Sequence, residues 1–92
     1  MPASGRQVFY EGRVQGVGFR YTTRQIAKGY DVTGWVKNLP DGRVELQVNG
    51  EADEVRAFLE AIRESELGSL IKGVEEHEIQ PGTGTKGFEI VF

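Results

Sequence analysis

The chain has no cysteine. That excludes a disulfide scaffold, a thiolate nucleophile and the common thiolate zinc cages. It has a single histidine, His77, so no multi-histidine metal site fits within one chain. No apolar run approaches the ~18–20 residues needed to cross a bilayer. The opening Met1-Pro-Ala-Ser-Gly-Arg6 lacks the apolar segment of a secretory leader. Basic residues are in slight deficit, 11 Lys+Arg against 14 Asp+Glu, for a net charge of −3. That mild acidity argues against a nucleic-acid coat or a polybasic membrane anchor. The 92 residues suffice for one domain and leave no room for a second, and 38% apolar content closes only a small core. These absences predict a single domain over residues 1–92, cytoplasmic, with residues 1–6 as a frayed tail.

What is present is strongly patterned. Gln7 to Val14 is rich in β-formers and predicts a first strand. Glycines 12, 16 and 18 punctuate the stretch that follows. A helix is predicted from Phe19 to about Lys28, with Phe19, Thr23, Ile26 and Ala27 as its buried stripe and Gly29 as stop. Val32–Asn38 predicts a second strand, and Leu39-Pro-Asp-Gly42 a turn. Residues 43–49 then alternate, Val44, Leu46 and Val48 against Arg43, Glu45, Gln47 and Asn49, as a half-buried strand does. Residues 52–64 repeat Val55, Phe58, Leu59 and Ile62 at helical spacing, with acids at the N-terminal end and Arg63 at the other. Residues 65–73 predict a linker, Val74–Ile79 a weaker strand whose apolar positions break the period of two, and 81–87 a loop. A short last strand follows at Phe88–Ile90.

The order β-α-β-β-α-β predicts an α+β, ferredoxin-like sandwich: a mostly antiparallel sheet of four to five strands with two helices on one face. In that topology the first βαβ unit makes strands one and two parallel, usually with strand three between them. Their carboxyl ends then share one edge of the sheet. The loop at 14–20 and Asn38 are brought to that edge.

Charge is also unevenly placed. No acid occurs between Glu11 and Asp31, a stretch that holds Arg13, Arg20, Arg24 and Lys28. The same stretch carries Gly16-Val-Gly18 opening into a helix. Glycine-rich backbone and unpaired amides at a helix start can receive an anion. Equally, such glycines can simply turn the chain, and basic residues on a helix can simply face water. Arg20 tips the reading towards an anion, because a cation in the first turn opposes the helix dipole. Arg13, Arg24 and Lys28 read as solvated. Asn38 before a turn can cap it through its own side chain. The string is no nucleotide motif: the third glycine of G-x-G-x-x-G is missing and no GK[ST] follows.

Two longer strings extend the reading. Gly12-Arg-Val-Gln-Gly-Val-Gly-Phe-Arg20, followed by Gly34-Trp-Val-Lys-Asn-Leu-Pro-Asp-Gly-Arg-Val44, resembles the acylphosphatase family, and the terminal Phe88-Glu-Ile90 fits its ending. The resemblance spans about residues 7–92 and is poorest over 65–87, where Gly68-Ser-Leu-Ile-Lys-Gly73 lacks the usual Gly-Pro. It implies hydrolysis of the carboxyl–phosphate bond of small acyl phosphates, giving a carboxylate and inorganic phosphate, the latter both product and inhibitor. It implies that backbone amides of Gln15, Gly16, Val17, Gly18, Phe19 and Arg20 cradle the phosphoryl oxygens. The family's catalytic arginine and asparagine fall on Arg20 and Asn38.

That chemistry suits the inventory. An acyl phosphate is already activated, because its carboxylate leaves without protonation, so positioning and charge stabilisation can suffice. No metal, cofactor, nucleic-acid or membrane partner is expected, and a monomer is. His77, between Glu76 and Glu78, reads as a surface strand residue, Trp35 and Phe9 as core or sheet surface, and Phe19 and Tyr21 as core packing in preference to substrate contact. Two alternatives keep the fold class: a non-catalytic phosphate-binding module, and an RNA-binding module suggested by the string Lys86–Phe92.

Overall fold

The strict alternation around residues 43–49 has a simple outcome. Val44, Leu46 and Val48 turn to one side of the sheet and are fully buried. The strand that carries them lies at the centre of a five-stranded sheet. The computed structural model describes residues 2–81 and 87–92. Within them the chain runs β1 (Ala3–Gly12), α1 (Phe19–Ala27), β2 (Val32–Asn38), β3 (Val44–Glu51), α2 (Ala52–Glu64), a 3₁₀ turn (Glu66–Leu70), β4 (Ile71–Ile79) and β5 (Phe88–Val91). The sheet order is β4-β1-β3-β2-β5. β1 and β2 both pair antiparallel with β3, which makes them parallel to one another, and β5 adds to β2 in parallel. This is the ferredoxin-like arrangement expected from the sequence.

Both helices pack on the face lined by Val8, Tyr10, Val32, Val36, Val44, Leu46 and Val48, and Phe19, Ala27, Val55, Phe58 and Ile62 complete the core. The opposite face lacks a helical cover. There Phe9 and Trp35 lie half-buried, each beneath a basic side chain: Arg43 is 4.7 Å from the Phe9 ring centre and Lys37 5.5 Å from that of Trp35. They are sheet-surface residues rather than core, and these cation–π contacts cover their apolar faces. Among the described residues no helix is long and apolar enough to cross a membrane.

Three expectations need correction. Residues 3–6 are not frayed; they form the start of β1, with Ala3 opposite Glu51 and Arg6 between Val48 and Glu78. The linker at 65–73 is largely regular. Ser65 accepts a hydrogen bond from the Leu67 amide at 3.1 Å, and Leu67 is inserted into the core by the 3₁₀ turn that follows. β4 is longer than expected and begins at Ile71. Its pattern lacked a period of two because it is an edge strand exposed on both faces, where burial imposes no alternation. The loop expected at 81–87 lies outside the described residues except for its two ends.

One buried group gives the fold a pH limit. Tyr10 is 4% exposed, and burial pushes its hydroxyl pKa upward; Glu76 adds to the rise and Arg63 opposes it. The phenol thus stays neutral in the folded chain where an unfolded chain, with a pKa near ~10, has begun to ionise. Stability is therefore intact below that pH and falls as pH rises beyond it. Thermal unfolding followed between about pH 8 and 11 should show an alkaline decline that Tyr10→Phe flattens.

Candidate active site

The loop between β1 and α1 is built from alternating anchors and open turns. Val14 is fully buried and pins the loop to the core, and the Arg13 amide bonds the Leu70 carbonyl at 3.0 Å. Gly16 and Gly18 then adopt φ of 75° and 77°. A side chain at either would meet nothing within 4 Å, so the requirement for glycine is conformational rather than spatial. Left-handed residues in quick succession are a backbone conformation in which neighbouring amides can converge to form an anion nest. Gly18 is also the N-cap of α1. The first bond of the helix runs from the Thr22 amide to the Gly18 carbonyl at 2.9 Å, which leaves the amides of Phe19, Arg20 and Tyr21 without intrahelical acceptors. No side chain caps this end and no acid lies in its first turn. The helix start therefore keeps its positive end open to an anion.

Arg20 is half-buried beside that nest and forms no ion pair among the described residues. Its guanidinium stacks 5.0 Å from the centre of the Phe92 ring. Asn38 is the last residue of β2, paired with Val44. Its Oδ1 is shielded from bulk water and has no hydrogen-bond partner among the described residues. It does not cap the turn through that atom. The turn is held by others: the Gly42 amide bonds the Leu39 carbonyl at 3.1 Å, and Asp41 accepts from the Arg43 amide and Nε at 3.0 and 2.8 Å. Those bonds from Arg43 hold the Asp41 carboxyl below its usual pKa.

Arg20 and Asn38 converge as the topology required. A cavity of about 170 Å³ is lined by Gly16, Gly18, Arg20 and Asn38, with Val14, Phe19, Tyr21, Ile90 and Phe92 forming its apolar walls. Of the residues expected in the cradle, Gly16, Gly18, Phe19 and Arg20 line this cavity; Val17 lies between two that do, and Gln15 is set back from it. Phe19 is core, tilted against Tyr10 with ring centres 5.2 Å apart. Tyr21 is not core, as expected of it, but 61% exposed at the cavity. Arg13, Arg24 and Lys28 are exposed. His77 is on β4 with Glu75 2.6 Å from its Nε2, three strands away from β2 in the sheet.

Gln15 has a role that its sequence position did not suggest. Its Nε2 donates to the Leu39 carbonyl at 2.8 Å and to the Arg43 carbonyl at 2.9 Å. One amide thus ties the anion loop to the turn that follows Asn38. The signal available in sequence was only a long amide side chain in a glycine-rich loop. Gln15→Leu should cost only about 0.5–1.5 kcal/mol of stability, because the Leu39 and Arg43 carbonyls each lose one hydrogen bond but keep a backbone donor, the Gly42 and the Leu39 amide respectively. It should also lower kcat by loosening Asn38 relative to the loop; thermal denaturation and steady-state kinetics read the two effects.

Among the described residues the cavity is lined by one basic side chain, Arg20, by the start of a helix whose first amides lack intrahelical acceptors, and by Asn38 with its shielded carboxamide oxygen. No carboxylate or imidazole lines it, and among the described residues no group of three or more His, Cys, Asp or Glu gathers anywhere. Fold and cavity together define a small α+β domain with a cavity at the carboxyl ends of β1 and β2. Comparison with known sequences gives that class a family. The family model described as Acylphosphatase matches residues 6–90. An acylphosphatase of Rubrobacter xylanophilus is 44% identical over 84 residues, 91% of this chain and 76% of that protein. The crystal structure of acylphosphatase from Bacillus subtilis superposes with a TM-score of 0.87 at 35% identity, covering 97% of this chain and 99% of the other. The chain belongs to the acylphosphatase family. A full-length HypF structure in a phosphate- and nucleotide-bound form also matches, with a TM-score of 0.83 at 32% identity over 99% of this chain but only 12% of that one.

Proposed function

We propose that this chain hydrolyses small acyl phosphates without a metal, through Arg20, the loop amides and Asn38. The observation that carries the reading is the convergence of Arg20 and Asn38, from two separate motifs, on one cavity with Gly16 and Gly18. The phosphoryl oxygens sit in the nest, held by the amides of residues 15–20 and by the Arg20 guanidinium. A water oriented by the Asn38 carboxamide, which can both donate and accept, attacks phosphorus. The bond from phosphorus to the acyl oxygen breaks, and its electron pair leaves with the carboxylate. The proton of the water ends on the phosphate, so R–CO–OPO₃²⁻ and water give R–COO⁻ and H₂PO₄⁻.

The donor set explains the choice of substrate. A phosphate monoester expels a poor alkoxide and needs a general acid, a metal or a covalent nucleophile. This cavity presents no acid and no thiolate, but an activated ester needs neither. Stabilising charge on the phosphoryl oxygens is then the main task, and a preorganised cation with backbone donors performs it. The chain acts as a monomer in the cytoplasm and has no nucleic-acid partner in this reading. The RNA-binding alternative is not favoured, since the string that suggested it lies largely on β5, an edge strand of the sheet.

Benzoyl phosphate hydrolysis, with inorganic phosphate as competitor, tests the proposal. Release of benzoate should follow saturation kinetics, phosphate should inhibit competitively, and EDTA should leave the rate unchanged. A rate that falls on chelation and returns with added metal would overturn the mechanism.

A further inference from the structure

Four large apolar side chains stand exposed among the described residues: Val17, Tyr21, Val74 and Phe92. Scattered single exposures are ordinary on a soluble protein, but three of these four gather in one place. Tyr21 and Phe92, 61% and 99% exposed, line the cavity that holds Arg20 and Asn38, and Val17 lies in its loop. Only Val74 is elsewhere, on the far edge strand β4. Neither ring is explained by the core. The buried stripe of α1 is Phe19, Thr23 and Ala27, so Tyr21 points away from it. Phe92 lies just beyond the last residue of β5, and Arg20 is its charged neighbour, at 5.0 Å.

The cavity is thus polar at one end and aromatic at the other. The nest, Arg20 and Asn38 take the phosphoryl half of the substrate in the reaction proposed above, on which this inference rests. The acyl half must extend along the remaining walls. We propose that Tyr21 and Phe92, with Ile90 behind them, form the acyl subsite, and that the enzyme selects acyl phosphates whose acyl group is apolar and of ring size. A two-carbon acyl group is too short to cover both rings, so it forgoes that burial. A charged acyl group sets its carboxylate against aromatic faces, which carry negative quadrupole density and repel anions.

The test compares benzoyl phosphate with acetyl phosphate in the wild-type chain, Tyr21→Ser, Phe92→Ser and Phe92→Leu. Comparing the substrate ratio between proteins cancels the difference in intrinsic reactivity. Each serine variant should lower the benzoyl-to-acetyl ratio of kcat/KM by about tenfold, mainly through KM for benzoyl phosphate, the scale of losing a few buried carbons. Phe92→Leu should recover a large part of the ratio. The inhibition constant of inorganic phosphate, measured on the same proteins, reads the phosphoryl site separately. An unchanged ratio overturns the proposal while leaving the hydrolytic reading intact. So does an equal loss on both substrates with weaker phosphate inhibition, which would make the rings supports for Arg20. Failure of the wild-type chain to hydrolyse either compound overturns the hydrolytic reading and this inference with it.

Discussion

Arg20→Ala should lower kcat/KM for an acyl phosphate by roughly a hundredfold to a thousandfold, the ~2.7–4 kcal/mol typical of removing one transition-state donor. Phosphate inhibition should weaken in the same variant, because the guanidinium also holds the product oxyanion. The fold should not suffer. Arg20 has no ion pair among the described residues, and it occupies the first turn of a helix that carries no acid there. A cation at that end costs a few tenths to about 1 kcal/mol, so its removal should hold or raise the melting temperature. Loss of activity without loss of stability is what a residue kept for chemistry gives. Arg20→Lys should recover little, since an ammonium keeps the charge but not the planar fork that meets two oxygens at once. A variant retaining activity within a few-fold of wild type, in the presence of competing phosphate, would remove the guanidinium from the reaction.

Asn38→Ala should lower kcat by about a hundredfold with little change in KM, as expected of a group engaged only in the transition state. The reason lies in its geometry. Oδ1 has no partner among the described residues and is screened from bulk water. Truncation therefore breaks no hydrogen bond of the fold through that atom. Asn38→Asp separates position from charge. It is the same size, but its carboxylate repels the phosphoryl oxygens, so it should raise KM as well as lower kcat. If Asn38→Ala raised KM alone, the carboxamide would be a binding group and the water would have to be oriented elsewhere.

How legible all this was in the sequence depends on what each segment buries. The hairpin of β2 and β3 and the helix α2 could be read closely, because each lays one face on the core and so repeats its apolar residues at a fixed period. β4 could not, since an exposed edge strand is under no such demand. Nor could the start of β1. Ala3, Ser4 and Gly5 have no apolar signal; they are held by partners distant in sequence, Glu51, Gly50 and Asn49. Gly5 is buried against the Ile79 carbonyl, a close approach that only the assembled sheet reveals.

The site divides in the same way. Gly16, Gly18 and Arg20 stood out locally, and their convergence with Asn38 followed from strand order. The tether from Gln15 did not, because a side chain that bonds two carbonyls more than twenty residues away leaves no local trace. Tyr21 was misjudged for a different reason. The predicted stripe of Phe19, Thr23, Ile26 and Ala27 already leaves it out, but an aromatic ring beside the buried Phe19 reads as packing on residue type alone; the helix turns it outward.

The parallel pairing of β5 with β2 sets the order in which competence appears. Lys37 opposes Val91, so Asn38 and Phe92 each lie one step beyond the last paired residues. Part of the cavity wall is thus supplied by β5, which docks onto a strand made well before it. Such distant closure is slow compared with local hairpin formation. A chain whose β5 has not yet docked on β2 therefore lacks this wall of the cavity, however much of the remaining sheet is paired.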